Sequence, residues 1–366
     1  MRNYLATLLG TCATCMVVVA GVNWFIDVNG VYHPAERTKF SSEYIAALSA
    51  SRIGLVFSPY ERSVKLALLR RTNAECYITG SSHEMQLTLG NFAPATPGCH
   101  SFVNLAVSGA SFEDLITHIG ELAEHTGVHT VYIGIGPWML RHGADQRWTE
   151  ERPALERACA VLGLASTSYR LTVLDQLRLV RNAINGEYLT RNLQTLLNRR
   201  PTIVAADRRE YSDAVLRPDG SFQYSPQFLS RNSPARQAVG GGSYKIARPY
   251  VDPMVVEDLT IALKVLAHRD VHVVFLFMPY HPEVMSCRSA DVCASMAAVV
   301  RSVQVLAGRV GGDVIGSYHP AVSGLSWRDF YDDMHVSAEA LNRLQWPSRA
   351  AELNAAPADA QSLDAP

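Results

Sequence analysis

Between Leu5 and Ile26 the chain reads LATLLGTCATCMVVVAGVNWFI, 22 residues without a charge. Wound as a helix rising 1.5 Å per residue, such a run spans about 30 Å, the thickness of a bilayer's hydrocarbon core. Trp24 and Phe25 stand where aromatic residues meet the far interface, and Arg2 is the only charged side chain ahead of the run. The positive-inside rule then puts the N-terminus in the cytoplasm and the chain beyond Asp27 on the other side. A cleavable signal peptide is the alternative, since it shares the short positive start. The length of the run, and Val22-Asn23-Trp24-Phe25-Ile26 in place of a small-x-small cleavage pattern, favour an uncleaved single-pass anchor over residues 1–26. A transporter subunit needs further spans, and the later apolar run VHVVFLFMP is too short to supply one.

Beyond the anchor the composition is that of a packed protein: 48% of the 366 residues are hydrophobic and 18% charged. A formal net charge of -1 lacks the basic field that nucleic-acid binding requires. Arg70-Arg71 and Arg199-Arg200 read as solvated helix ends. Of seven cysteines, Cys12 and Cys15 lie in the apolar run. Cys76, Cys99, Cys159, Cys287 and Cys293 face a compartment where disulfides persist. Cys287 and Cys293 are close enough to staple one loop, and Cys76 and Cys99 precede two runs read below as adjacent strands. With five cysteines the pairing stays open. No Cys/His spacing resembles a zinc site, and no metal or organic cofactor is implied.

Residues 27–71 form a turn-rich exit and a helix, ERSVKLALLRR, with Val64 and Leu68 on one face and Thr72-Asn73 ending it. From residue 72 the rhythm becomes α/β. Cys76–Thr79 is a short β-rich run that stops at Gly80, with a helix expected next. SFVNLAVSG leads into SFEDLITHIGELAEHTG, a helix with Ser111 as N-cap and Asp114 in its first turn. HTVYIGIG follows as a strand. Strand, helix, strand with short links predicts a mostly parallel sheet covered on both faces, a three-layer α/β/α sandwich. The pattern loosens between about residues 140 and 250, read as an insertion with Leu171–Asn198 helical and a Gly-rich segment AVGGGSYK. It resumes with the helix VVEDLTIALKVLAHR, the central strand VHVVFLFMP, a helix from about Ala290 to Leu306, and DVIGSYHP as the last strand. The α/β domain thus spans 72–345, and residues 346–366 read as a disordered tail.

Chemistry in an open parallel sheet collects just past the carboxyl ends of the strands. Three pieces fall there: Gly80-Ser81-Ser82, Ser108-Gly109, and Asp332-x-x-His335. A serine hydroxyl becomes a useful nucleophile only with a base in hydrogen-bond reach and a third group orienting that base. Ser82, placed after a strand and a glycine turn, fits the nucleophile, His335 the base, and Asp332 the orienting carboxylate, three residues back. Each also has a plain structural reading: Ser82 as an N-cap, His335 as a surface histidine. After the strand VHVVFLFMP, His281 in PYHPE is placed to line a pocket or to stiffen a proline-bracketed loop. Pro137-Trp138 forms a substrate wall or packs on the core.

In order and type these blocks resemble the SGNH/GDSL hydrolase family. ITGSSHE stands for its first block with Ser82 at the nucleophile position, VNLAVSGAS for the second with Gly109 at an oxyanion donor, and YDDMHVSAEAL for the last. The closer likeness is to membrane-anchored bacterial members, some of which transfer acyl groups on cell-envelope polymers. The resemblance implies a serine esterase or acyltransferase on the periplasmic side. Its substrate would be an acylated polysaccharide or a small ester, its partners envelope-biosynthesis proteins. The N–H groups of Ser82 and Gly109 would hold the oxyanion. The family's third block normally offers an Asn donor; here YIGIGPWML puts Gly136 or Pro137 near that position. His83, Trp138 or a backbone amide would have to substitute, and His83, Trp138 and His281 are the expected substrate contacts. The alternative is a non-catalytic envelope assembly or polysaccharide-binding protein on the same scaffold.

Overall fold

The computed structural model describes residues 2–27, 61–92, 98–142, 147–164, 214–231, 250–286, 290–332 and 334–347, with short pieces at 32–33, 41–46, 53–56, 95, 145, 183–186, 189–190, 192–193, 197 and 203–205. Most of the expected helix over 171–198, the Gly-rich segment 238–245 and the tail from 348 onward lie outside the described residues.

Helix α1 (Arg2–Ile26) is long and apolar enough to cross a membrane, and Leu5, Leu9, Val17 and Phe25 on it are exposed. Its last turn is polar on one side: Asn23 donates to the Ala183 carbonyl at 2.8 Å and accepts from Asn192 at 2.9 Å. After β1 (Ile53–Val56) and α2 (Glu61–Arg71) come β2 (Cys76–Thr79), β3 (Phe102–Asn104), α3 (Phe112–Glu124) and β4 (Thr130–Gly134). Then follow α4 (Arg152–Leu162), β5 (Ile203–Ala205), β6 (Ala214–Leu216), β7 (Phe222–Tyr224), α5 (Pro253–Ala267), β8 (His272–Phe277), α6 (Ala290–Val310) and β9 (Asp313–Gly316).

The molecule is α/β. Five parallel strands pair in the order β3-β2-β4-β8-β9, so the chain steps one way from β2 to β3, then crosses back to β4 and onward. Reversal of direction makes β2 and β4 the pair where an open sheet leaves a crevice beyond its strand ends. Side chains alternate between the faces as the pleat requires. Tyr77, Val131, Ile133, Val273, Phe275 and Val314 pack with α3, α5 and α6 in the larger core. Cys76, Ile78, Tyr132, Val274 and Leu276 fill the opposite, smaller one. That second face is covered by two helical turns, Leu89–Phe92 and Ala338–Leu341, and by loop residues such as Leu325 and Phe330. Truncating Phe275, sealed at the middle of β8, costs about 3–5 kcal/mol by the general rule for buried aromatics.

Helix α3 starts where its sequence demands. Ser111 and Asp114 form a reciprocal capping box, and Leu115, Ile116, Ile119 and Leu122 recur at helical spacing on the buried side. Helix α6 also has the length and apolarity of a membrane span, but Met296, Val299, Val303 and Leu306 bury it in the larger core. Cys76 and Cys99 are joined by a disulfide that ties the start of β2 to the segment entering β3, with Cα atoms 5.9 Å apart. Cys293 is also disulfide-bonded; Cys287 lies outside the described residues, and Cys159 is a buried free thiol.

Two expectations need correction. The helix expected directly after Gly80 does not form: residues 81–86 are hydrogen-bonded turns. The side-chain amide of Asn104 donates to the carbonyls of Glu84 and Leu87, both at 2.8 Å, and pins the turn from outside. The region read as an insertion with helical stretches and a Gly-rich segment also carries strands. β1, β5, β6 and β7 form a second, antiparallel sheet in the order β5-β1-β6-β7. Strands of three and four residues are too short to leave a period in the sequence.

Candidate active site

Ser82 lies in the turn beyond β2, and His335 follows a tight loop at the other end of the chain. Their atoms meet: Ser82 Oγ and His335 Nε2 are 2.8 Å apart. On the far side of the ring, His335 Nδ1 lies 2.8 Å from Asp332 Oδ2. An ionised carboxylate only accepts, so Nδ1 carries the ring proton and Nε2 is left to accept from the serine hydroxyl. Asp332 is itself fixed by its second oxygen, which accepts the N–H groups of His335 at 2.6 Å and Met334 at 2.8 Å. Burial disfavours ionising Asp332, but the His335 ring and these N–H groups outweigh it and hold the carboxyl below its usual range. Asp333, the other acidic residue of the motif, lies outside the described residues.

The loop carrying Asp332 and His335 is closed at its base. Tyr331 N–H donates to the His335 carbonyl at 3.1 Å, Phe330 and Val336 form an antiparallel bridge, and Ser337 N–H donates to the Asp329 carbonyl at 2.7 Å. Tyr331 lies nearly parallel to the His335 ring, 8° off with centroids 5.4 Å apart. Tyr224, on β7, stands beyond it at 5.7 Å. The hairpin β6–β7 therefore closes one side of the site. Phe222 N–H donates to the Met85 carbonyl at 2.6 Å, which docks this hairpin on the turn that carries Ser82.

That turn is braced from within. Glu84 Oε2 accepts the Ser81 N–H at 2.6 Å. The carboxyl lies flat against Gly80 and Gly134, where any Cβ would collide with it. Burial pushes the Glu84 carboxyl up to about 8, against the pull of its bonds to Ser81. The Ser108-Gly109 loop is held by helix α2. Glu61 accepts the Ser108 N–H at 2.7 Å, and Arg62 donates to the Ser108 carbonyl at 3.2 Å while paired with Asp114. Lys65, wholly buried and brought down to about 7 by that burial, donates to the carbonyls of Asn104 and Gly220. Sequence reading assigned α2 a hydrophobic face and missed these three charged residues; a helix whose polar side is also buried leaves no mark in apolar periodicity.

Gly109 has φ +54, and a Cβ there would run into the Arg147 guanidinium, which is paired with Asp145. Among the described residues no hydrogen bond engages the N–H of Ser82 or of Gly109. Gly136 does not match its expected oxyanion role, because its N–H is directed to the Met139 sulfur at 3.1 Å. Trp138 likewise spends its indole N–H on the Ala110 carbonyl at 2.8 Å and packs on the larger core, its ring 6.2 Å from that of His83. His281 turns away: its Nδ1 accepts the Glu283 N–H, and its ring meets Phe330 edge-on. From the same loop it is Tyr280 that reaches the site, with its ring 4.6 Å from His83. His83 packs against His335 at 4.8 Å between centroids. Burial, reinforced by His335, pushes the His83 imidazole well below its ordinary value, so it is neutral. Among the described residues no group of three or more His, Cys, Asp or Glu side chains is placed to hold a metal ion.

No protein-family model matches this chain, and none of the curated proteins compared with it does.

Proposed function

We propose that this protein is a serine esterase or acyltransferase of the SGNH kind, acting on acylated cell-envelope polysaccharide or a related ester. The observation that carries this reading is the unbroken relay from Ser82 through His335 to Asp332, with both contacts at 2.8 Å. Ser82 Oγ attacks the ester carbonyl as His335 takes its proton. His335 then gives that proton to the departing alcohol, leaving an acyl group on Ser82. Water or a sugar hydroxyl, deprotonated by the same histidine, accepts the acyl group. Asp332 keeps the imidazole in one tautomer and stabilises its charge. To the N–H groups of Ser82 and Gly109, which no hydrogen bond engages among the described residues, this reading assigns the developing oxyanion.

We read the domain as a three-layer α/β/α fold in which the layer over the smaller core is reduced to short helical turns. The strand order, with the site at the point of reversal, supports this. We place the domain outside the cytoplasmic membrane, held by α1 and working with envelope-biosynthesis proteins. The Cys76–Cys99 disulfide supports an oxidising compartment. The test of function is turnover of p-nitrophenyl acetate by full-length protein in detergent. Ser82-dependent hydrolysis, lost in Ser82→Ala, supports the reading; equal rates in the two proteins reject it. Wild type as inactive as the variant favours the binding-protein alternative.

A further inference from the structure

Two buried polar atoms beside the Ser82–His335 pair have no partner: Nε2 of His83 and the hydroxyl of Tyr280. His83 is 5% exposed and Tyr280 1%, so neither is satisfied by bulk water. A polar atom left this way in a packed interior is destabilising unless something arrives to bond it. The two do not serve each other: their rings pack at 4.6 Å between centroids, tilted by 42°, and no hydrogen bond joins the two atoms. His83 adjoins the general base, its ring 4.8 Å from that of His335, and Tyr280 packs on His83. Other side-chain and loop donors nearby are already committed. The Trp138 indole bonds Ala110 and the Gly136 amide points to the Met139 sulfur.

We propose that His83 is a catalytic residue of this site, its Nε2–H donating to the acyl carbonyl oxygen as that oxygen becomes an oxyanion, with Tyr280 holding the ring and offering its hydroxyl to the same oxygen. The inference rests on the esterase reading and names the side-chain donor that complements the amides of Ser82 and Gly109. In acylation the Ser82 Oγ–carbon bond forms, the carbonyl π pair moves onto the oxygen between these donors, and the Ser82 proton goes to His335. The pair returns when the alcohol leaves. A neutral donor suits the place. His335 becomes a cation in this step, and a second positive charge stacked on it would oppose that change. A donor meeting a charge that exists only in the transition state acts on kcat and leaves KM alone.

The experiment compares full-length wild type, His83→Ala, His83→Gln and Tyr280→Phe in detergent. It measures kcat and KM on p-nitrophenyl acetate and the affinity of a trifluoromethyl ketone, whose hemiketal oxygen occupies the oxyanion position. In His83→Ala, kcat is expected to fall on the order of a hundredfold, with KM within about threefold of wild type. Ketone affinity falls in parallel. His83→Gln, which restores an N–H donor, recovers about tenfold of the loss, and Tyr280→Phe shows a smaller loss in the same two readouts. A His83→Ala enzyme within about threefold of wild type in kcat overturns the proposal. So does a loss that His83→Gln does not relieve and the ketone does not register, since that is the pattern of a packing defect. Absence of Ser82-dependent turnover in wild type overturns the esterase reading and the donor role together. Turnover indifferent to His83 overturns the donor role alone.

Discussion

Ser82 and His335 stand 253 positions apart in the chain, and their side chains are in hydrogen-bond contact at 2.8 Å. The contact joins the turn after β2 to the loop that follows β9. Neither Ser82 nor His335 lies in a helix or a strand. The first is held by Glu84 and Asn104, the second by the Phe330–Val336 bridge, and the parallel sheet brings both to one edge.

Asp332→Asn tests the orienting carboxylate. The amide can present N–H groups to the histidine and allows the wrong tautomer, so esterase turnover is expected to fall a thousandfold or more while the fold persists. The measurement is kcat/KM on p-nitrophenyl acetate beside a thermal melt. A loss under tenfold contradicts the role given to Asp332.

Gly109→Ala tests the loop that carries an amide donor. At φ +54 an L side chain is strained by about 1–2 kcal/mol, and its methyl group displaces Arg147 from above the loop. The expected result is a modest drop in denaturant midpoint with a larger drop in kcat, because the Gly109 amide moves. Unchanged kcat removes that amide from the mechanism.

Glu84 gives stability a pH signature. Below about 4.5 its carboxyl is protonated in both the folded and the unfolded chain. Between about 4.5 and about 8 only the folded chain keeps the proton, so stability falls as pH rises across that window. Above about 8 both forms are ionised and the slope ends. Glu84→Gln is expected to flatten this decline in denaturant midpoints read from pH 5 to pH 8. An unaltered slope shows that Glu84 is not the group responsible.

Opening the Cys76–Cys99 bridge frees a loop with a sequence separation of 23 residues, and loop-closure entropy sets the cost at about 3 kcal/mol. Replacing both cysteines by serine is expected to lower the denaturant midpoint accordingly. A change below about 1 kcal/mol contradicts a structural role for this disulfide.

Features with local causes were legible in the sequence. The capping box of α3 needs only Ser111 and Asp114 three residues apart, and an apolar run flanked by turns is enough to place β8 between two other strands. Features decided by distant contacts were not. Asn104 pins the turn that carries Ser82 through carbonyls that sequence cannot assign to it. In PYHPE, His281 drew notice as a residue placed to line a pocket, yet the chain past the end of β8 sets Tyr280 against His83 and His281 against Phe330. The orphaned Nε2 of His83 is visible only once the packing around it is known.

Central to all of this is a nucleophilic Ser82, and covalent capture is its most direct test. Full-length protein treated with a fluorophosphonate is expected to gain one adduct mass per chain, and peptide mapping is expected to find it on Ser82. Asp332→Asn should slow the reaction and Ser82→Ala should abolish it. A protein that stays unmodified, or carries the adduct on another residue, contradicts the account.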